Sequence, residues 1–367
     1  MVRVLLAPDK FKGTLTAAEV AGALAAGIRA RRPEVRIDIA PVADGGDGLL
    51  DACLAAGFTA VPVDAVDALG VPVRTAYARR GADAVVELAA ICGLARLGAL
   101  RAPVSASSRG VGLVLAAALD AGCTRIVLGI GGSASTDGGA GLVRALGARV
   151  LGARGETLDS LHGAVKLDLT GLHRALRTAA IEVACDVDNP LTGPRGAAAV
   201  YGPQKGADPD QVELLDAALT NWAEVVAAAT GADHRADPGA GAAGGVGFAA
   251  VALLGGRLRP GTELVLTLTG FADRLAGADL VVTGEGSLDE QTLHGKAPAG
   301  VAAAARTAGV PVAGVAGRCL LDENSLRSLG FDDVYSLVAE AGSEDEALTN
   351  PGPLLRRIGE RIAEGMA

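Results

Sequence analysis

The feature that most constrains this chain is a unit that keeps recurring. A short apolar run ends in a Gly- and Asp-rich turn, and a stretch with apolar residues at helical spacing follows. Val2–Ala7 is the first such run and stops at Pro8-Asp9, the signature of a buried strand. Thr16–Arg31 carries helical spacing, and Thr16 with Glu19 forms a capping-box pattern at its start. Arg36–Val42 reads as the next strand and delivers Asp44-Gly45-Gly46-Asp47-Gly48. Arg125–Ile130 leads into Gly131-Gly132-Ser133, Ile181–Cys185 into Asp186-Val187-Asp188-Asn189-Pro190, and Asp279–Thr283 into Gly284-Glu285-Gly286-Ser287-Leu288-Asp289. Val310–Val315 and Asp333–Val338 are two more strands. This order predicts an α/β architecture with largely parallel sheets, and open α/β sheets bind ligands at the C-terminal ends of their strands.

A chain of 367 residues exceeds one ordinary core. The first two strands and the last three can make a five-stranded doubly wound sheet. That predicts a discontinuous flavodoxin-like domain, residues 1–65 and 276–367, interrupted by a second α/β domain, residues 66–275. The alternative is a simple two-lobe split near Arg149. Arg235–Gly247, rich in Gly and Ala, precedes an apolar helix pattern and reads as a structured loop.

Composition narrows the partners. The net charge of −9 argues against nucleic acid, which attracts basic surfaces, but leaves room for a small anion held by a local field. The five cysteines form no CxxC pair and the four histidines no metal spacing, so a cytoplasmic protein with reduced thiols and no zinc site is expected. The start is too short for a secretory apolar region, and no apolar run approaches a membrane span. A homo-oligomer is compatible with the sequence.

The chemistry lies in the turns. Of 33 basic residues only five are lysines, and Lys10, Lys12, Lys205 and Lys296 all sit in Gly-, Pro- or Asp-flanked turns, where a compact ammonium suits an anion admitted by small neighbours. Carboxylates recur in the same places: Asp44, Asp47, Asp137, Asp186, Asp188, Glu285 and Asp289. Phosphoryl transfer needs carboxylates to hold Mg²⁺ and gains from one near the attacking hydroxyl. No G-x-x-x-x-G-K-[ST] and no protein-kinase signature is present. Gly129-Ile130-Gly131-Gly132-Ser133-Ala134 fits a loose G-x-G-x-x-A, so a nicotinamide-dependent oxidoreductase is one alternative; a non-catalytic small-anion-binding protein is another. The same glycines could cradle phosphate at a helix start.

Taken in order, these motifs resemble the type I glycerate kinase family. The matching segments are Ala7-Pro8-Asp9-Lys10-Phe11-Lys12-Gly13, Pro41-Val42-Ala43-Asp44-Gly45-Gly46-Asp47-Gly48, Ile130-Gly131-Gly132-Ser133-Ala134 and Asp137-Gly138-Gly139. They continue with Cys185-Asp186-Val187-Asp188-Asn189-Pro190, Gly202-Pro203-Gln204-Lys205-Gly206, Gly241–Gly245, Thr283-Gly284-Glu285-Gly286 and Gly295-Lys296-Ala297-Pro298. The family more often has Thr-Asn where Ser135-Thr136 stands, and Arg where Ser287 stands. The resemblance implies ATP-dependent, Mg-assisted phosphorylation of D-glycerate, typically to 2-phosphoglycerate, in an interdomain cleft. On that reading Asp186 and Asp188 hold Mg²⁺ or orient the hydroxyl, with Lys12 as a further catalytic group. Asp9, Lys10, Asp44, Asp47 and Asn189 would contact glycerate. Gly131, Gly132, Ser133, Asp137, Lys205, Gly284, Glu285, Gly286 and Lys296 would handle the nucleotide phosphates.

Overall fold

In a computed structural model, which describes residues 1–366, the strands are β1 (Arg3–Pro8), β2 (Arg36–Ile39), β3 (Thr59–Val66), β4 (Pro72–Arg80), β5 (Asp83–Glu87), β6 (Arg125–Gly129), β7 (Arg149–Leu151), β8 (Lys166–Asp168), β9 (Ala180–Ala184), β10 (Arg257–Arg259), β11 (Leu280–Leu288), β12 (Val312–Cys319) and β13 (Asp333–Ser336). The chain groups into two compact units. One comprises Met1–Asp44, Asp51–Ala56 and everything from Thr262 to the C-terminal helix; the other comprises Gly45–Leu50 and Gly57–Gly261. The expected boundary at 65/66 falls inside β3, whose whole length pairs with β4 in the second unit; that at 275/276 falls just after the helix Phe271–Leu275.

The first unit holds a five-stranded sheet of order β2-β1-β11-β12-β13, with every pair parallel. Renumbered within the unit, this is the 2-1-3-4-5 order of the flavodoxin-like fold. Parallel strands are covered on both faces and read as continuous apolar runs. In β1, Val4 and Leu6 face one way, into a core with Val20, Leu24 and Ile28 of the helix Ala17–Arg31 and Leu354, Leu355 and Ile358 of the helix Pro351–Gly365. Leu5 and Ala7 face the other way, toward Val301 and Ala302 of the helix Ala297–Thr307. The capping box at Thr16 is present: its Oγ1 accepts from Glu19 N at 3.2 Å, and the Glu19 carboxylate accepts from Thr16 N at 2.8 Å.

Gly284–Gly286, read from sequence as a turn, is extended backbone inside β11, with Gly284 opposite Val315 and Glu285 opposite Ala316. Glycine is required there by crowding. A Cβ on Gly284 would lie 1.7 Å from the Val315 carbonyl oxygen, too close for any atom. Gly284→Ala is therefore expected to destabilise by about 3 kcal/mol, the upper end of overpacking costs. At about 2–4 °C per kcal/mol that lowers Tm by roughly 6–12 °C, measurable by thermal denaturation; an unchanged Tm would contradict the β11–β12 register.

The second unit holds a mixed sheet of order β10-β9-β6-β5-β4-β3. β5, β6, β9 and β10 are parallel, whereas β3, β4 and β5 form an antiparallel meander. β7 and β8 make a separate hairpin. The core behind this sheet gathers Tyr77, Leu115, Leu219, Trp222 and Phe248, all buried. No helix of the described residues is long and apolar enough to cross a membrane, and all five cysteines are free thiols.

Candidate active-site clusters at the strand ends

In the first unit the strand order reverses between β1 and β11, and the residues just beyond those two strands occupy the switch point where open α/β sheets bind ligands. Asp9 follows β1, and its backbone N–H donates to Gly284 O at 2.8 Å, so it is tied to β11. The residue is buried, 6% exposed. Asp9 Oδ1 accepts from Lys10 N at 2.6 Å, and Lys10 Nζ lies 3.7 Å from it. Burial pushes the Asp9 carboxyl up to about 7; the Lys10 ammonium pulls the other way, and the Asp44 and Glu285 carboxylates add to the rise. Glu285 Oε1 accepts from the buried Thr292 hydroxyl at 2.8 Å, and Lys296 Nζ sits 3.3 Å from Oε2. Burial raises the Glu285 carboxyl too, with Lys296 opposing. Lys296 also reaches Asp289 at 3.4 Å. Asp289 caps the short turn Glu290–His294. Gly286 brings its backbone close to Phe11 and Lys12, where a Cβ would lie 3.3 Å from Lys12 N, and Lys12 itself is exposed. This unit thus brings together Asp9, Lys10, Asp44, Glu285 and Lys296, residues from four separate motifs.

In the second unit the ends of β6 and β9 carry the other cluster. Gly45 and Gly46 pack against these ends so closely that side chains are excluded: a Cβ on Gly129 would meet Gly45 O at 2.4 Å, and one on Gly131 would meet Gly46 Cα at 2.7 Å. Asp44 and Asp47, neighbours in sequence, fall in different units, and Asp47 is exposed. After the turn at Gly131-Gly132 the chain runs on without a helix to Asp137, and the next helix is Ala140–Ala145. The helix start expected at Ser133 is absent. Asp137 explains the shift, since its carboxylate accepts from Gly139 N and Gly141 N at 3.2 Å each and so satisfies the first turn of the later helix. Asp137 Oδ2 further accepts from Ser108 N and Ser108 Oγ at 2.8 Å and from Ser107 Oγ at 3.3 Å. Sequence reading missed Ser107 and Ser108, whose position just before the helix Arg109–Asp120 was the available signal. The G-x-G-x-x-A fit therefore lacks the helix N-terminus on which a dinucleotide pyrophosphate would rest.

Lys205 is 2% exposed. Its ammonium donates to Ser133 Oγ at 3.0 Å, to Ser135 O at 2.5 Å and to Thr136 Oγ1 at 3.5 Å. Burial pushes it down to about 7, against the pull of the Asp137 carboxylate. Trp222, the single tryptophan, is fully buried and donates from Nε1 to Gly138 O at 3.0 Å. Ala243, Gly244 and Gly245 are all left-handed, with φ of 53°, 67° and 92°, and Gly244 backs onto Ser135, whose carbonyl oxygen would lie 2.1 Å from an added Cβ.

Beyond β9, Asp186 and Asp188 take different partners. Asp186 Oδ1 accepts from Gly261 N at 2.7 Å. Asp188, 74% exposed, meets Arg195 Nη2 at 3.1 Å. Asn189 braces its own loop: Nδ2 donates to Arg195 O at 2.8 Å and Oδ1 accepts from the Tyr201 hydroxyl at 2.6 Å. Among the described residues no three His, Cys, Asp or Glu side chains are grouped to hold a metal. Mg²⁺ commonly takes one or two carboxylates and fills its remaining positions with water and phosphate. Asp186, exposed and oriented by a backbone N–H, fits that use. Asp188 would first have to leave Arg195, though a pair this exposed costs at most about 1 kcal/mol to open.

Fold and clusters define a two-unit α/β protein whose flavodoxin-like sheet is interrupted by a second α/β unit and whose strand ends gather carboxylates and lysines. The model of the glycerate kinase family matches residues 4–367. A glycerate kinase of Bacillus subtilis strain 168 is 41% identical over 370 residues, covering 99% of this chain and 97% of its own length. A glycerate 2-kinase of Escherichia coli K12 is 40% identical over 374 residues, covering 100% and 98%. The crystal structure of a provisionally named glycerate kinase 2 from Salmonella typhimurium LT2 superposes with a TM-score of 0.84 at 40% identity, covering 99% of this chain and 97% of its own. The chain belongs to the glycerate kinase family, and it is an enzyme of the kinase class.

Proposed function

We propose that this enzyme transfers the γ-phosphoryl group of ATP to D-glycerate with Mg²⁺ and releases 2-phosphoglycerate, in the cytoplasm. The observation that carries the reading is the full-length match to glycerate kinases, one of them named as a 2-kinase. The strand-end clusters support it chemically. Phosphoryl transfer asks for positioning and charge stabilisation more than covalent help, and these clusters offer cations, carboxylates and backbone donors at fixed places.

In this reading Lys10, Lys12, Asp9, Asp44 and Asp47 engage the carboxylate and hydroxyls of glycerate, with Asn189 bracing the loop that carries Asp186. Asp186, with Asp188 beside it in sequence, orients the attacking hydroxyl or holds the metal, which when bound neutralises charge on the phosphates. Gly131, Gly132 and Ser133, with Gly284–Gly286, approach phosphate oxygens. Lys296 neutralises their charge, its carboxylate partners Glu285 and Asp289 setting its position. A coupled ADP-release assay, omitting ATP, glycerate and Mg²⁺ in turn, tests the reaction, and phosphorus NMR of the product tests the 2-position. Turnover without glycerate, or a 3-phosphate product, would refute the corresponding part. Lys12→Ala is expected to raise KM for glycerate about tenfold or more, the loss of roughly 1.4 kcal/mol of binding, with KM for ATP little changed. The reverse pattern would move Lys12 to the nucleotide.

A further inference from the structure

We propose that Lys205 is a positioning residue: its ammonium, buried behind the segment Ser133–Thr136, fixes that segment in the conformation the reaction uses and does not itself touch a phosphate. An ammonium has three N–H donors and no acceptor. All three of Lys205 are directed at oxygens of a single four-residue stretch, the Ser133 hydroxyl, the Ser135 carbonyl and the Thr136 hydroxyl. With 2% of its surface exposed, Lys205 could meet a phosphate only by giving up one of them.

The stretch it grips is held against its own preference. Ser135 Oγ is buried without a hydrogen-bond partner, an arrangement that native structures rarely keep without reason. Left to itself, the chain would turn that hydroxyl toward an acceptor. The Lys205 bonds to Ser133, to Thr136 and to the Ser135 carbonyl oppose this. Gly244 closes the other side, with room for no side chain against Ser135 O. Next in sequence, Asp137 is locked by Ser107, Ser108, Gly139 and Gly141, so the position of the stretch passes directly to the turn Gly131-Gly132, whose second glycine is exposed, on one side and to Gly138 on the other. An arginine is a poor replacement for the lysine, because its donors all lie in one plane and its larger head must fit the same closed space. This explains why a chain with 33 basic residues, all but five of them arginine, keeps a lysine here.

The inference rests on the proposed reaction only for its kinetic readout. The test compares full-length wild type, Lys205→Met and Lys205→Arg by steady-state kinetics for ATP and glycerate, and by amide hydrogen exchange of the peptide covering 131–138. Trp222 fluorescence serves as an internal reporter on Gly138. Both variants are expected to lose about 10²-fold in kcat, the scale of a loop displaced by about 1 Å, with either KM altered less than threefold. Exchange across 131–138 should quicken at least tenfold while that of Leu280–Leu288 stays as in wild type, and the Trp222 emission should shift. Rescue by Lys205→Arg, a rise in KM for ATP with kcat preserved, or unchanged exchange over 131–138 would each overturn the proposal. If wild type shows no glycerate-dependent turnover, the proposed function fails while the exchange and fluorescence comparisons still decide the role of Lys205. If Lys205→Met does not fold, Lys205→Gln, which keeps two N–H donors, takes its place. Failure of both to fold would make the residue structural and end the proposal.

Discussion

Asp186→Asn is expected to reduce kcat by about 10²–10³-fold with the protein still folded. The substitution is a clean one because of what Asp186 already does. Its Oδ1 accepts from Gly261 N, and an asparagine amide oxygen can accept the same bond, so the loop after β9 keeps its anchor while the charge disappears. The dependence on Mg²⁺ then separates the two tasks proposed for it. If the carboxylate holds the metal, the Mg²⁺ concentration for half-maximal rate rises steeply; if it orients the hydroxyl, that concentration stays put and only kcat drops. Turnover within threefold of wild type would remove Asp186 from the reaction.

Asp9→Asn should act on stability and activity in opposite directions. In the folded protein the Asp9 carboxyl is raised from 3.8 to about 7, chiefly by burial. Below pH 4 both folded and unfolded chains carry the proton. Between about 4 and 7 the unfolded chain has released it and the folded one has not, so stability falls as the pH rises through that window, and above 7 the loss is complete. A rise of this size corresponds to about 4 kcal/mol as an upper bound, the opposing pull of Lys10 being already contained in it. An asparagine has no such charge to bury. The variant should therefore melt about 5–10 °C above wild type at pH 8 and at the same temperature as wild type near pH 4, read from thermal scans across pH. Its kcat/KM for glycerate should drop about 10²-fold, since the contact to the substrate proposed for Asp9 is removed. A variant less stable than wild type at pH 8 would show that Asp9 is an ordinary paired carboxylate.

Much of the fold can be read in advance where local signals agree. The Thr16–Glu19 pair marks the start of the helix Ala17–Arg31, and the apolar runs before Asp9, Gly131, Asp186 and Glu285 are strands. What escapes depends on partners distant in the chain. Gly284–Gly286 looks like punctuation because glycine usually is; only the carbonyl of Val315, some thirty residues on, reveals that the glycine serves a strand packed too tightly for a methyl group. The antiparallel ribbon β3–β4 escapes because Thr59–Arg80 offers no two-residue turn of the kind that announces a hairpin. The site divides the same way. Composition singles out Lys205 as one of few lysines, but its burial comes from Ser133, Ser135 and Thr136, about seventy positions earlier. Asp186 and Asp188, expected to serve one task together, take separate partners because Gly261 and Arg195 lie on different segments.

The placement of β1 between β2 and β11 has a consequence during synthesis. Val4 pairs with Leu280, so 276 positions separate partners in adjoining strands. At about 5–20 residues per second, a ribosome needs roughly 14–55 s to travel from one to the other. Throughout that interval one flank of the first strand has no neighbour, while the contiguous stretch 57–261 can emerge and settle. Nascent chains halted after residue 261 should thus hold a protease-resistant core from the interior of the sequence while their amino-terminal strand remains within reach of chaperones.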